Sequence, residues 1–176
     1  MTSHVHTDPM LYTTSPVLVD TFQWNERRVP YFIYEEERGQ SVHRWIQSLG
    51  ITPSHLLELQ HPLESEVEKT IQAFISDARM GSQLYIEATW DVADQAMNVA
   101  IQKGFTEDEI QIKIIGPKKK FLYCMKCFSR QEIDVQAKEV CCPGCGAMSE
   151  VGPFFSRVRK GYIGYLFDPS VSPDRR

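Results

Sequence analysis

The apolar positions of residues 15–116 change along the chain from the spacing of strands to that of helices. Residues 17–24 and 29–35 are rich in β-branched and aromatic side chains, which favour the half-buried surface of a sheet. The polar residues 25–28 separate these two runs. The pattern therefore predicts a β-hairpin at the beginning of this region.

Two helices are predicted next, because apolar residues recur every three or four positions and so share one helical face. The first face comprises Val42, Trp45, Ile46 and Leu49, and the second comprises Val67, Ile71, Phe74 and Ala78. Gly50 and Gly81 follow these faces and are predicted to end the two helices. Between the helices, a short helical turn is predicted at Leu56 and Leu57.

A β-α-β unit follows the second helix. Residues 84–88 and 110–115 have the composition of strands, and an apolar stripe at residues 93–101 predicts a helix that ends at Gly104. Short connections of this kind imply a right-handed crossover and a parallel pair of strands. Residues 15–116 are therefore predicted to form an α/β module.

The β-α-β unit resembles the last β-α-β turn of the nicotinamide-binding domain of ferredoxin reductases. The resemblance lies in the segment after the helix, which reads Gly104-Phe105-Thr106-Glu107-Asp108-Glu109-Ile110. At the start of the helix the family has Cys-Gly-Pro, whereas residues 87–89 are Glu-Ala-Thr. The sequence also contains no Gly-x-Gly-x-x-Gly loop to bind a pyrophosphate. The resemblance implies a degenerate unit that has lost its nucleotide site.

The composition changes after the α/β module. Residues 117–120 combine a proline with three lysines and predict a linker. Residues 121–169 are predicted to form a small β lobe. Residues 1–14 and 170–176 are polar and aperiodic, and they are predicted to be disordered tails.

The β lobe contains two Cys-x2-Cys pairs, Cys124 with Cys127 and Cys142 with Cys145, separated by 14 residues. This spacing is typical of four thiolates that bind one tetrahedral Zn²⁺. Because four sulfurs leave no coordination position for water, the site is predicted to be structural and the lobe to be a zinc ribbon. The fifth cysteine, Cys141, directly precedes the second pair and is predicted to be a bystander.

Iron and disulfide bonds are the alternatives to zinc. The second pair reads Cys-Pro-Gly-Cys-Gly-Ala over residues 142–147 and is similar to the second half of a rubredoxin electron-transfer site, which holds iron. The first pair carries Phe128 where the matching glycine would stand, which favours zinc over iron. Disulfide bonds are disfavoured, because residues 1–14 do not resemble a secretory signal and a reducing compartment keeps thiols free.

Composition indicates a globular protein, with 42% hydrophobic and 11% aromatic residues among 176. No apolar run approaches the ~18–20 residues that cross a bilayer, so we expect a cytoplasmic protein without a membrane partner.

The charge is unevenly distributed along the chain. Residues 1–112 carry 7 Lys/Arg and 17 Asp/Glu, whereas residues 113–176 carry 12 and 6. A basic ribbon that binds nucleic acid is therefore one alternative function. However, five of these 12 cations are three lysines of the linker and two terminal arginines, whose ordinary role is solvation. An acidic module joined to a basic one suits protein partners at least as well.

The end of the ribbon is rich in aromatic residues. A small metal-stabilised lobe has little core of its own, so we expect these side chains to be buried against the α/β module or another subunit. The residues predicted to bind a partner are Phe154, Phe155, Arg157, Tyr162 and Tyr165.

The ribbon and its tail resemble the small A subunit of bacterial dimethylamine monooxygenase over residues 121–168. The shared motifs are Tyr-Cys-x-x-Cys at residues 123–127, Val-x-Cys-x-Gly-Cys-Gly at 140–146, Phe-Ser at 155–156 and Gly-Tyr-x-Gly at 161–164. The chain departs from the family at Phe154, where a histidine is expected before the Phe-Ser pair, and at Lys160, where the glycine of the Gly-Ala-Tyr motif is shifted.

The resemblance implies a multi-subunit, NAD(P)H- and O2-dependent enzyme that removes a methyl group from a secondary amine and yields a primary amine and formaldehyde. Haem, flavin and iron–sulfur groups are expected on partner subunits of the haem, flavin or ferredoxin type. The sequence itself contains no Cys-x-x-Cys-His haem-attachment motif. We therefore expect this polypeptide to be an accessory subunit that is not catalytic alone.

Overall fold

The computed structural model describes residues 11–35, 40–60 and 64–168. The chain divides after Pro117 into two compact units. The α/β unit is Thr14–Pro117, and the ribbon unit is Lys118–Arg176 together with the N-terminal residues up to Thr13. Within the described residues, none of the helices has both the length and the apolar character required to cross a bilayer.

The α/β unit is built on four parallel strands in the order β2-β1-β3-β4. The strands are β1 Val29–Glu35, β2 Leu56–Leu59, β3 Ser82–Ala88 and β4 Ile110–Ile114, and the helices are α1 Gln40–Leu49, α2 Glu64–Phe74 and α3 Trp90–Lys103. A single 3₁₀ turn, Glu107–Glu109, precedes β4. The predicted α/β class and the β-α-β unit are thus confirmed.

The sheet has an apolar core on each face. β3 is buried along its whole length, as expected of a central strand in a parallel sheet. On one face, Phe32 of β1 packs with Val42 and Ile46 of α1. On the other face, the ring of Tyr31 lies edge-on to that of Phe74 in α2, at 5.6 Å between centroids.

The predicted hairpin of residues 17–24 with residues 29–35 is wrong. Both edges of β1 are occupied by parallel neighbours, β2 and β3, so no edge is left for a hairpin partner. Residues 17–19 instead run beside β4, where Leu18 forms an isolated parallel bridge with Ile112. The aromatic residues that suggested a strand cover the α1 face, where Phe22 packs on Trp45 at 5.0 Å between ring centroids.

Two further predictions for this unit also fail in detail. Leu56 and Leu57 lie in strand β2 and not in a helical turn. The second helix ends at Phe74, well before Gly81. By contrast, α1 ends at Leu49, and Gly50 takes the left-handed conformation (φ 65°) that favours glycine after a helix.

The ribbon unit is a five-stranded sheet in the order β6-β5-β9-β8-β7. The strands are β5 Lys120–Cys124, β6 Arg130–Ile133, β7 Glu139–Cys141, β8 Met148–Ser156 and β9 Gly161–Leu166. The aromatic tail forms the antiparallel pair β8 and β9, and β9 also pairs in parallel with β5. Since β5 and β9 flank one another at the centre of the sheet, the tail is part of the ribbon itself.

The segment before the α/β unit also belongs to the ribbon. Leu11 is fully buried, the ring of Tyr12 stacks on that of Phe155 at 4.7 Å, and the hydroxyls of Thr13 and Tyr162 lie 2.6 Å apart. The prediction of a disordered tail over residues 1–14 is therefore wrong for 11–13, because these residues supply cover that the small lobe lacks. Residues 1–10, and the predicted tail 170–176, lie outside the described residues.

Candidate metal centre

Each Cys-x2-Cys pair lies in a tight turn that we call a knuckle. The first knuckle is residues 124–128, and the second is residues 142–146. In the first, the N–H of Phe128 donates to the carbonyl of Cys124 at 2.9 Å. In the second, the N–H of Gly146 donates to the carbonyl of Cys142 at 2.8 Å. The two knuckles therefore close with the same hydrogen bond.

The last residue of each knuckle has a left-handed backbone. Gly146 has φ 67° and Phe128 has φ 61°. Glycine adopts this conformation without steric cost, whereas a residue with a Cβ does not. Phe128 stands where the second knuckle has glycine. The first knuckle nevertheless has the same backbone geometry as the second.

The four cysteines come together as the sequence predicts. The sulfurs of Cys124 and Cys145 lie 3.8 Å apart, those of Cys127 and Cys142 lie 3.6 Å apart, and all four lie within 4.8 Å of one another. A disulfide bond would require about 2.05 Å. Four sulfurs bound tetrahedrally to one ion at about 2.3 Å would be separated by about 3.8 Å, so the arrangement fits a metal ion such as Zn²⁺.

Cys141 lies outside this group. It is exposed in β7, and its sulfur faces the carbonyl of Gly146 at 3.8 Å. Its neighbour Cys142, the first residue after β7, is buried, and its N–H donates to the carbonyl of Ala147 at 2.8 Å. Burial thus separates the ligand candidate from the bystander.

The thiols differ in how readily they ionise. The hydroxyl of Ser129, followed by its backbone N–H, lowers the pKa of Cys127 to about 6. Burial opposes ionisation of Cys142, but backbone N–H groups of its own knuckle donate to the sulfur and the net effect lowers its pKa. For Cys145, the N–H of Ala147 favours the thiolate, yet burial and the neighbouring sulfurs outweigh it and raise the pKa to about 11. A metal ion would displace the remaining protons.

Ser129 is a component of the site that the sequence reading missed. Its hydroxyl oxygen lies 3.0 Å from the sulfur of Cys127 and 3.8 Å from that of Cys142. Hydrogen bonds to ligand atoms orient the ligands of a metal site and tune their basicity. A hydroxyl two residues after the first pair was the signal that could have identified it.

Replacement of Ser129 by alanine is expected to lower metal affinity about 10-fold, at the lower end of the ~10–100-fold effects of such outer-shell changes. The loss follows from removing the hydroxyl that stabilises the Cys127 thiolate. Competition with a chromophoric chelator measures the change. Ser156→Ala is the control, because that hydroxyl accepts the N–H of Arg159 and belongs to the β8–β9 turn. Equal affinities for the two variants would contradict the role of Ser129.

The five residues predicted to bind a partner have different positions in the ribbon. Phe154 is 77% exposed, Tyr165 is 54% exposed, and Arg157 is exposed. Phe155 is half-buried under Tyr12, and Tyr162 is 4% exposed beneath Thr13. The prediction for Tyr162 is therefore corrected, because a ring already covered by its own unit offers no area to a partner.

Several cations of the ribbon unit are engaged within it. The ammonium of Lys120 donates to two backbone carbonyls, at 3.1 and 3.2 Å, and lies 5.3 Å from the ring centroid of Tyr162. The guanidinium of Arg159 lies 5.1 Å from the ring centroid of Tyr123. Nucleic-acid binding requires cations that face solvent on one surface. These contacts weaken the nucleic-acid alternative.

The α/β unit has a second place where function is expected. Parallel sheets of this kind bind ligands beyond the carboxyl ends of the strands, at the point where the strand order reverses. Here that point lies between β1 and β3, since β2 and β4 follow on opposite sides. The N-termini of α1 and α3 would supply the N–H groups that bind a phosphate.

Carboxylates of the chain itself occupy both of these helix N-termini. Glu87 of β3, 2% exposed, accepts the N–H of Val42 in α1 at 2.7 Å. Glu35 of β1 accepts the N–H of Thr89 at the start of α3 at 2.5 Å. Each carboxylate therefore links one strand to the helix that follows the other: Glu87 links β3 to α1, and Glu35 links β1 to α3. A phosphate at this edge would meet two negative charges and no free N–H at these two positions.

Comparisons with models of protein families, with curated proteins and with solved structures find no match for this chain. The fold and the site define a protein with an α/β unit and a ribbon unit. The ribbon carries a four-cysteine group able to hold a metal ion.

Proposed function

We propose that the chain is a non-catalytic accessory subunit of a bacterial, NAD(P)H- and O2-dependent amine monooxygenase of the dimethylamine type. Its ribbon holds a structural Zn²⁺ and docks redox partner subunits in the cytoplasm. The observation that carries this proposal is the closed group of four cysteine sulfurs. A metal bound by four thiolates has no open position for substrate or O2, so its role is to fold the ribbon.

The two carboxylates at the switch point support the same proposal. Glu35 and Glu87 occupy the helix N-termini that would otherwise receive the phosphates of a dinucleotide or flavin. Such cofactors, like haem, would therefore be held by the partner subunits. The choice of an amine as substrate rests on the sequence resemblance of residues 121–168.

Exposed apolar side chains of the ribbon support the docking role. Phe154, Tyr165 and Leu166 are all exposed on the β8–β9 pair, with Tyr165 and Leu166 on opposite sides of the sheet. Phe154 lies where the register of this pair shifts, between Val151 and Phe155. Bulges of this kind commonly re-aim a side chain. We expect these side chains to contact a partner subunit.

Co-expression of the tagged chain with the products of its neighbouring genes tests the proposal. A haem- or flavin-containing protein should co-elute, and the assembly should consume NAD(P)H and release formaldehyde from dimethylamine when the chain is present. A double variant, Phe154→Ala with Tyr165→Ala, should weaken co-elution, whereas Met80→Ala, at a fully exposed methionine of the α/β unit, should not. Elution of the chain alone would contradict the proposal.

A rubredoxin-like electron carrier is the second candidate. It is favoured by the matching hydrogen bonds of the two knuckles and by the exposure of Cys127, which brings one sulfur close to solvent. The metal distinguishes the two functions, because an iron tetrathiolate absorbs visible light and d¹⁰ Zn²⁺ does not. A colourless protein with one zinc per chain, prepared with iron in excess, would eliminate the carrier.

A further inference from the structure

Phe128 has a conformation that its side chain makes unfavourable. Among the described non-glycine residues, it and Lys160 have a positive φ. Its counterpart in the second knuckle is Gly146, with nearly the same φ, so the turn itself calls for glycine. Strain of this kind persists where the surrounding structure enforces it, and it is concentrated at functional positions.

Burial does not explain the phenylalanine. Its side chain is 65% exposed, and its ring lies 6.4 Å from that of Tyr123 between centroids, in a tilted arrangement. A large apolar side chain that is both strained and exposed is costly to the isolated protein. Its presence is accounted for if the ring is buried by another molecule.

The surroundings of Phe128 indicate what that molecule is. Met125 is exposed in the same knuckle, and Cys127 is exposed between the two. Cations close to the knuckle include Lys126 within it, Arg130, which pairs with Tyr123 across β5 and β6, and Arg159, whose guanidinium lies 5.1 Å from the ring centroid of Tyr123. The first knuckle is therefore an apolar projection beside cations. Aromatic and methionine side chains are enriched at the centres of protein interfaces, and complementary charges guide association.

We propose that the first knuckle is a docking surface for an acidic protein, in which Phe128 inserts into an apolar pocket bordered by carboxylates. A nucleic acid fits less well, because several free cations are needed to follow a phosphate backbone. Two of the cations near the knuckle are already placed on rings of the ribbon, Arg130 on Phe121 and Arg159 on Tyr123. The inference rests on the proposed role as a docking subunit but not on the amine substrate.

The test begins with a photo-crosslinking amino acid at position 128 of the full chain, expressed in its native host. The same residue at position 80 is the control, because Met80 is fully exposed on the α/β unit. Mass spectrometry then maps the crosslinked peptide. The expected product joins position 128 to an apolar segment flanked by Asp or Glu in another protein. Crosslinks to nucleic acid, to another copy of this chain, or to nothing beyond those at position 80 would overturn the inference.

Binding of that purified partner is then measured with the variant Phe128→Gly. Glycine relieves the left-handed strain, so the variant should keep one metal per chain and melt at a temperature no lower than the original. Its affinity for the partner should nevertheless fall at least about 10-fold, which is a factor that one well-buried aromatic residue supplies. Unchanged affinity would overturn the inference, and so would loss of the metal.

These outcomes are separable from those of the proposed function. A partner that binds through Phe128 but carries no haem, flavin or iron–sulfur cluster would refute the monooxygenase role and leave the docking surface intact. Redox subunits that bind equally to Phe128→Gly and to the unaltered chain would refute the docking surface and leave the monooxygenase role intact.

Discussion

Cys142→Ser is expected to release the metal from the chain and to unfold the ribbon unit. Cys142 is buried, and its sulfur lies 3.6 Å from that of Cys127, so the change leaves three thiolates for an ion that takes four ligands in structural sites. Metal binding contributes about 10–16 kcal/mol of apparent free energy in zinc-finger peptides and is coupled to their folding. The loss of affinity should therefore exceed the ~10–100-fold expected of changes outside the ligands.

Elemental analysis after dialysis against a chelator, together with hydrogen exchange of β5 and β9, measures both effects. Cys141→Ser is a closely matched control, because it alters the adjacent, exposed thiol outside the four-sulfur group. That variant should keep one metal per chain and slow exchange in both strands. Equal metal loss in the two variants, or full metal content in Cys142→Ser, would contradict the ligand assignment.

The four-cysteine group could be predicted from sequence because its geometry is local. Each pair is held by one turn, and the spacing within the pair sets the distance between its sulfurs. The β-α-β unit was predictable for a related reason, since a long helix between two apolar runs has few other arrangements. In both cases the signal lies within a short stretch of chain.

The predicted hairpin failed because strand pairing is not local. The run at residues 29–35 was identified correctly as a strand, but its neighbours are β2 and β3, which come later in the chain. A short apolar run shows that a segment is buried and does not show which strand lies beside it. Val19, Phe22 and Trp24 are apolar because they pack in one cluster with α1, and this requirement resembles that of a strand.

The number of aromatic residues in the tail does not show which of them are buried, and the prediction for Tyr162 failed for this reason. Tyr162 and Tyr165 are three residues apart on one strand, so they face opposite sides of the sheet. One is buried and the other exposed. Part of the cover over Tyr162 comes from Thr13, which no local pattern connects with β9. The alternation of side chains along a strand could have predicted that the two tyrosines face opposite sides. It could not have identified the segment that covers one of them.

Glu87→Ala is expected to destabilise the α/β unit by about 3 kcal/mol, the lower part of the range for removing one partner of a buried ion pair. The carboxylate accepts the N–H of Val42 at 2.7 Å and the hydroxyl of Ser41, and it lies 3.3 Å from the ammonium of Lys113. Its loss leaves a helix N–H without its acceptor and a cation without its partner. Because about a third of the Lys113 side chain is exposed, water can solvate that cation, which keeps the cost from being larger.

Tryptophan fluorescence during denaturant unfolding measures this change in the unit concerned, because all three tryptophans of the chain, Trp24, Trp45 and Trp90, lie in the α/β unit. Glu58→Ala is the control, because Glu58 is exposed on β2 and such surface changes stay within about 0.5 kcal/mol. If Glu87→Ala proved as mild as Glu58→Ala, the carboxylate would not be holding the start of α1. The N-terminus of α1 would then not be held by the internal carboxylate that argues against a phosphate there, and the case for placing the nucleotide on a partner subunit would lose one of its two supports.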